Sequence, residues 1–66
     1  MKLDLEKLKI AQARACLSVN DLVDETGLVR STISKVLNGR INPKPKTLGR
    51  IAKALNVNIE DIILQE

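Results

Sequence analysis

The sequence contains no Phe, Tyr, Trp or His, and only one Cys among its 66 residues. Without aromatic rings, any core has to be packed from Leu, Ile, Val and Ala. The same absence disfavours single-strand or RNA binding of the kind that stacks bases on aromatic side chains. Without His, and with no Cys-rich, phosphate-loop or HExxH pattern, neither a nucleophile system nor a metal site can be assembled. The expectation is therefore no enzyme: no catalytic residue, no metal, no cofactor and no small-molecule ligand. The lone Cys16 rules out an internal disulfide and fits a reducing compartment, so a cytoplasmic location is expected. Cys16 itself reads as a small buried residue ending the first helix. Long apolar runs are missing too. Ile62-Ile63-Leu64 is typical of the longest, far too short to span a membrane. The opening Met1-Lys2-Leu3-Asp4 lacks the apolar stretch of a signal peptide.

Acidic residues are missing from the middle of the chain. All eight lie within 4–25 or 60–66, while residues 26–59 hold Arg30, Lys35, Arg40, Lys44, Lys46, Arg50 and Lys53 and no carboxylate. The net charge is only +3, but a block of one sign creates a local positive field that attracts polyanions. Asp21, Asp24 and Glu25 lie close in sequence, yet they read as first-turn and solvent-facing helix residues rather than a hard-cation site.

What is present is aliphatic residues at three- and four-residue spacing, which predicts an all-α single domain over 1–66. Leu5, Leu8, Ala11, Gln12 and Ala15 form one face of a helix over about 4–15. Ser18 with Asp21 three residues on is a capping-box pattern, opening a second helix over 18–25 whose buried residues would be Leu22 and Val23. Gly27 stops it by taking the left-handed conformation. A third helix over 29–38 closes at Asn38-Gly39. Pro43 and Pro45 interrupt the chain, and Pro45 suits the first position of a fourth helix over 45–55, burying Leu48, Ile51, Ala52 and Leu55. Asn56 can terminate it, and Asn58 with Asp61 would cap a fifth helix over 58–64. The expectation is a compact five-helix bundle.

The third helix divides sharply. At about 100° per residue from Arg30, the residues Arg30, Ser34, Asn38, Ser31 and Lys35 fall between roughly 0° and 140°. Val29, Ile33, Val36 and Leu37 fall at roughly 240–340°, with Thr32 near 200° on the flank. One face can dock on the domain; the other is polar, basic, acid-free and short of bulk, as a groove lined by phosphates requires. Arg30 can donate two hydrogen bonds to guanine O6 and N7, Lys35 can reach the same atoms, and Ser31 and Ser34 can donate or accept.

Two helices joined at Gly27, with Leu22, Ile33 and Val36 facing each other, resemble the helix-turn-helix of the lambda-repressor-like family, which includes Cro and XRE-type regulators. The resemblance spans about 5–64. It is strongest in LSVNDLVDETGLVRSTISKVLNGR (17–40), and PKTLGRIAKALNVNIEDII (45–63) matches the family's last two helices. It implies a transcriptional regulator whose third helix enters the major groove of double-stranded operator DNA. By that match Arg30, Ser31, Ser34 and Lys35 face bases, while Ser18, Thr32, Asn38, Arg40, Asn42 and Lys44 hold phosphates. The start of the second helix would also donate backbone N–H groups to a phosphate.

The sequence departs from the family pattern in places. Val19 stands where a glutamine often meets the DNA backbone. Val29 stands at the usual Ser or Thr cap, which it cannot supply. Gln12 and Leu37 occupy the positions of a common Arg–Glu pair, so a hydrophobic contact is expected there. Relatives usually act as symmetric dimers on half-sites about 34 Å apart, and a weak homodimer through the end of the fifth helix is expected, strengthened on DNA. Blocking polymerase at a promoter, as a repressor does, is the simplest action. The alternative is a helix-turn-helix antitoxin or protein-binding module gripping its partner through Ile59, Ile63 or Leu64.

Overall fold

The aliphatic spacing resolves into four α-helices in the computed structural model, which describes residues 2–64. They are α1 (Leu5–Ala15), α2 (Val19–Thr26), α3 (Arg30–Leu37) and α4 (Pro45–Ala54), succeeded by a short 3-10 turn over Ile59–Asp61. Local chemistry sets most of the boundaries. The Asp4 side chain accepts from the amides of Glu6 and Lys7, both at 3.1 Å, and so opens α1. Ser18 and Asp21 form the reciprocal capping box of α2: Asp21 N–H donates to Ser18 Oγ at 3.1 Å, and Ser18 N–H donates to Asp21 Oδ2 at 2.9 Å. Gly27 ends α2 at φ 72°, a left-handed conformation that a side chain would strain, although space for a Cβ is available there. Pro45 occupies the first turn of α4, and Asn56 is left-handed beyond its end at φ 57°.

The core lies where the four helices meet. Leu8 and Ala11 come from α1, Leu22 from α2, Ile33 and Val36 from α3, and Leu48, Ile51 and Ala52 from α4, with Leu55 and Ile62 beyond it. α2 packs on both α3 and α4, and α1 packs on α3. Thr26 is the one polar residue in this interior among the described residues. Its hydroxyl donates to the Leu22 carbonyl at 2.6 Å and accepts from the Leu28 amide at 3.2 Å, which removes the cost of burying it. That pair of bonds also ties the end of α2 to the turn leading into α3.

Four expectations are corrected. The fifth helix over 58–64 is not formed: Asn58 N–H donates to Asp61 Oδ2 at 3.1 Å as the capping pattern requires, but this opens only the 3-10 turn. The chain then turns extended because its end pairs with its beginning. Asp4 N–H donates to the Ile62 carbonyl and Leu64 N–H to the Lys2 carbonyl, each at 2.9 Å, around an antiparallel bridge between Leu3 and Ile63. Ile59 and Ile63 consequently pack against the core, and only Leu64 of the three is exposed. Cys16 is exposed rather than buried, because it takes the left-handed C-cap position of α1 at φ 57°, which turns its side chain outward. Val29 is 65% exposed despite its place on the inner arc, because as the N-cap it has extended backbone and stands off the helix. Apart from these, Gln12 is half-buried and donates to the Leu17 carbonyl at 2.9 Å, which braces the α1–α2 connection. Among the described residues no helix is long and apolar enough to cross a membrane, and no group of Cys, Asp or Glu is placed to hold a metal ion.

Candidate nucleic-acid interface

α3 is held by its inner side chains and leaves its outer face in solvent. Ile33 and Val36 are buried, and Leu37 is half-buried against the core. Arg30, Ser31, Ser34 and Lys35 are all exposed on the opposite side. The four residues expected at bases therefore share one accessible surface. Two of them are engaged locally. Ser34 Oγ accepts from Asn38 Nδ2 at 3.4 Å, a long bond that leaves the hydroxyl proton free to donate. Arg30 Nη1 donates to Oδ1 of Asn20, on α2.

The six residues expected at phosphates fall into three groups. Ser18 is exposed at the start of α2. Its hydroxyl accepts from the Asp21 amide and keeps its own proton as a donor. Thr32 is half-buried on the flank of α3, while Asn38 is exposed at its end. Arg40, Asn42 and Lys44 belong to the α3–α4 connection, with Arg40 and Lys44 exposed. That connection is fixed rather than loose at its origin: Arg40 N–H donates to the Lys35 carbonyl at 2.9 Å, and Gly39 reverses the chain at φ 71°. A Cβ on Gly39 would lie 2.6 Å from Leu5 Cδ1, so α1 closes over the turn that starts the basic connection.

The start of α2 is a mixed environment for an anion. The amides of Val19 and Asn20 have no acceptor among the described residues, and a helix N-terminus favours negative charge. The Ser18 amide is taken by the Asp21 carboxylate, however. Those Ser18 bonds, backbone first and side chain second, hold the Asp21 carboxyl below its ordinary value of 3.8 despite slight opposing desolvation. Asp21 thus stays charged beside Ser18, and the donors left at this helix start are the Ser18 hydroxyl and the two open amides.

Lys46, Arg50 and Lys53 sit on α4, the last two lining a shallow groove with Glu25 and Thr26 on the α2 side. The Glu25 carboxylate offsets part of their charge there. Nothing in the sequence marks Asn20 as a partner of Arg30, because the link crosses two helices and ten residues and leaves no local pattern.

The chain is similar to known proteins along nearly its whole length. The family profile described as helix-turn-helix matches residues 5–62. An uncharacterized HTH-type transcriptional regulator of Methanocaldococcus jannaschii is 38% identical over 60 residues, covering 91% of this chain and 91% of that protein. With the two packed helices α2 and α3 joined at a left-handed glycine, the chain belongs to the lambda-repressor-like, XRE-type helix-turn-helix family.

Proposed function

We propose that the protein is a sequence-specific double-stranded DNA-binding transcriptional regulator that reads the major groove with the outer face of α3. The observation that carries this reading is that Arg30, Ser31, Ser34 and Lys35 are all exposed on α3, in a stretch without a carboxylate that goes on to the exposed Asn38, Arg40, Asn42 and Lys44. Arg30 and Lys35 supply the donors that match guanine edges. Ser31 and Ser34 are short enough to let the helix approach. Ser18, Thr32, Asn38, Arg40, Asn42 and Lys44 contact phosphates and fix the register, as such contacts generally do. The protein acts in the cytoplasm, and the simplest action is repression, by occupying a promoter.

Two copies acting together extend the few base pairs that one α3 can read. Ile41 and Leu64, 40% and 47% exposed, line one open groove of about 250 Å³ with Leu3 and Leu5, and Lys2, Arg40 and Asn42 share its rim. The exposed Leu64, beyond the 3-10 turn, supplies apolar surface for a weak homodimer that is strengthened on DNA, while Arg40 and Asn42 stay with the phosphates.

Selection of bound duplexes from a random pool tests the reading. The expected outcome is a two-fold symmetric site with half-sites about one helical turn apart. Recovery of random sequence from a folded sample would refute sequence-specific binding, and enrichment of one unpaired half-site with full affinity would refute the dimer.

A further inference from the structure

The two ends of the chain meet beside the connection that follows α3. Leu64 N–H donates to the Lys2 carbonyl and Asp4 N–H to the Ile62 carbonyl, each at 2.9 Å, around the Leu3–Ile63 bridge. Ile62 is fully buried, and Leu3 and Ile63 pack against the core, so the pairing is anchored from within. Leu5, the first residue of α1, lies close against Gly39: a Cβ there would come within 2.6 Å of its Cδ1. These contacts bring residues 2–5 alongside residues 39–42. Lys2, Arg40 and Asn42 consequently share the rim of one groove, and all three are exposed. We propose that Lys2 is a further phosphate-contacting residue, carried to the side of Arg40 by the pairing of the chain ends. The proposal rests on the reading of Arg40 and Asn42 as phosphate contacts.

Charge order along the sequence hides this role, because Lys2 lies outside the acid-free stretch and next to the acids that begin at Asp4. In the fold, the Asp4 carboxylate is committed to capping α1, accepting from the Glu6 and Lys7 amides. No carboxylate lines the groove among the described residues, so the Lys2 ammonium adds to the positive field of Arg40. The other three cations outside residues 26–59 are placed differently. Lys7 and Arg14 line a groove with Glu60 and Asp61, and Lys9 lines one with Asp21. A lysine ammonium is a compact charge on a flexible stem with donors in several directions. That suits a phosphate oxygen, which fixes register without reading sequence. The backbone of Lys2 is already held by the bond at its own carbonyl, so binding orders one side chain and not a loose chain end.

The test uses the full chain and the duplex it selects from a random pool. Affinities of the wild type, Lys2→Ala, Lys2→Arg and Lys7→Ala are measured for that duplex and for scrambled duplex over a range of monovalent salt. Lys2→Ala is expected to lower the slope of log K against log salt by about one and to weaken both duplexes by the same factor. Lys2→Arg keeps the charge in place and should keep the slope. Lys7→Ala removes the same charge from a groove that holds carboxylates and should leave the slope as it is. Three results would overturn the proposal: Lys2→Ala leaves the slope unchanged, or weakens the selected duplex alone, or is matched by Lys7→Ala. A wild-type chain that selects no duplex removes the DNA-binding reading and this proposal together. A salt-dependent wild type whose slope survives Lys2→Ala removes this proposal alone.

Discussion

Arg30 and Lys44 carry the same charge but meet a duplex on different terms. Arg30 leads the outer face of α3, and Lys44 is the N-cap of α4 at the end of the basic connection. Arg30→Ala should relax preference at one or two base positions and cost about 1–3 kcal/mol on the best site. Lys44→Ala should weaken binding to all sequences alike and lower the salt slope by about one. Binding isotherms on the selected duplex and on scrambled duplex, at several salt concentrations, check both; identical behaviour would erase the division between base reader and phosphate anchor. At this scale the sequence was informative about the faces of α3, because a helical period assigns Ile33 and Val36 inward and Ser34 and Lys35 outward without any knowledge of the partner helices. It was uninformative wherever the backbone leaves that period. Val29 and Cys16 both sit at helix ends, where one extended or left-handed residue redirects the side chain. Thr26 gave no sign of being buried, since its satisfaction depends on a carbonyl one turn back and an amide beyond Gly27.

At the scale of elements, caps decide where the helix-turn-helix begins and ends, and they are unequal. α2 has a complete capping box, whereas α3 starts at Val29 with no side-chain cap. Val29→Ser would give the hydroxyl an amide of the first turn to accept from, and because Val29 is largely exposed, little packing is lost. The expected gain is about 1 kcal/mol, read as a rise in melting temperature of about 4–8 °C for a domain of this size. An unchanged or lower melting temperature would show that Val29 serves the fold in another way. The capping box of α2 has a pH signature. The folded-state pKa of Asp21 lies below its ordinary value of 3.8, so the unfolded chain binds its proton more readily. The Asp21 contribution is therefore fully present above the ordinary value and is lost as pH falls through the lower folded-state value. Melting the wild type beside Asp21→Asn from neutral pH down through that range should show the two curves converge on acidification; a constant gap would contradict the assignment. Capping patterns of this kind lie within a few residues and were legible in the sequence, the Asn58–Asp61 pattern included. The conformation of the chain beyond Asp61 was not legible. The extended end there is set by pairing with residues 2–4, some sixty positions away, and apolar spacing alone reads Ile59, Ile62 and Ile63 as one more helix.

Across the whole molecule, the cations of the acid-free stretch stand in solvent. Arg30, Lys35, Arg40 and Lys44 are exposed on α3 and the connection after it, and the aliphatic core from all four helices fixes the frame that presents them. The fold class and the family were legible because both helix pairs occur in register in one short sequence. The contact between Arg30 and Asn20 of α2 was not, since it exists only once the two helices cross. The central claim is that this stretch binds duplex DNA through its phosphates while α3 reads the bases. Titration of the selected duplex over a range of monovalent salt tests it most directly. Arg40 and Lys44 alone should give a slope of log K against log salt of about −2 per protomer, steeper as the remaining cations take part. A folded sample that ignores every duplex at low ionic strength, or whose affinity does not change with salt, would contradict it.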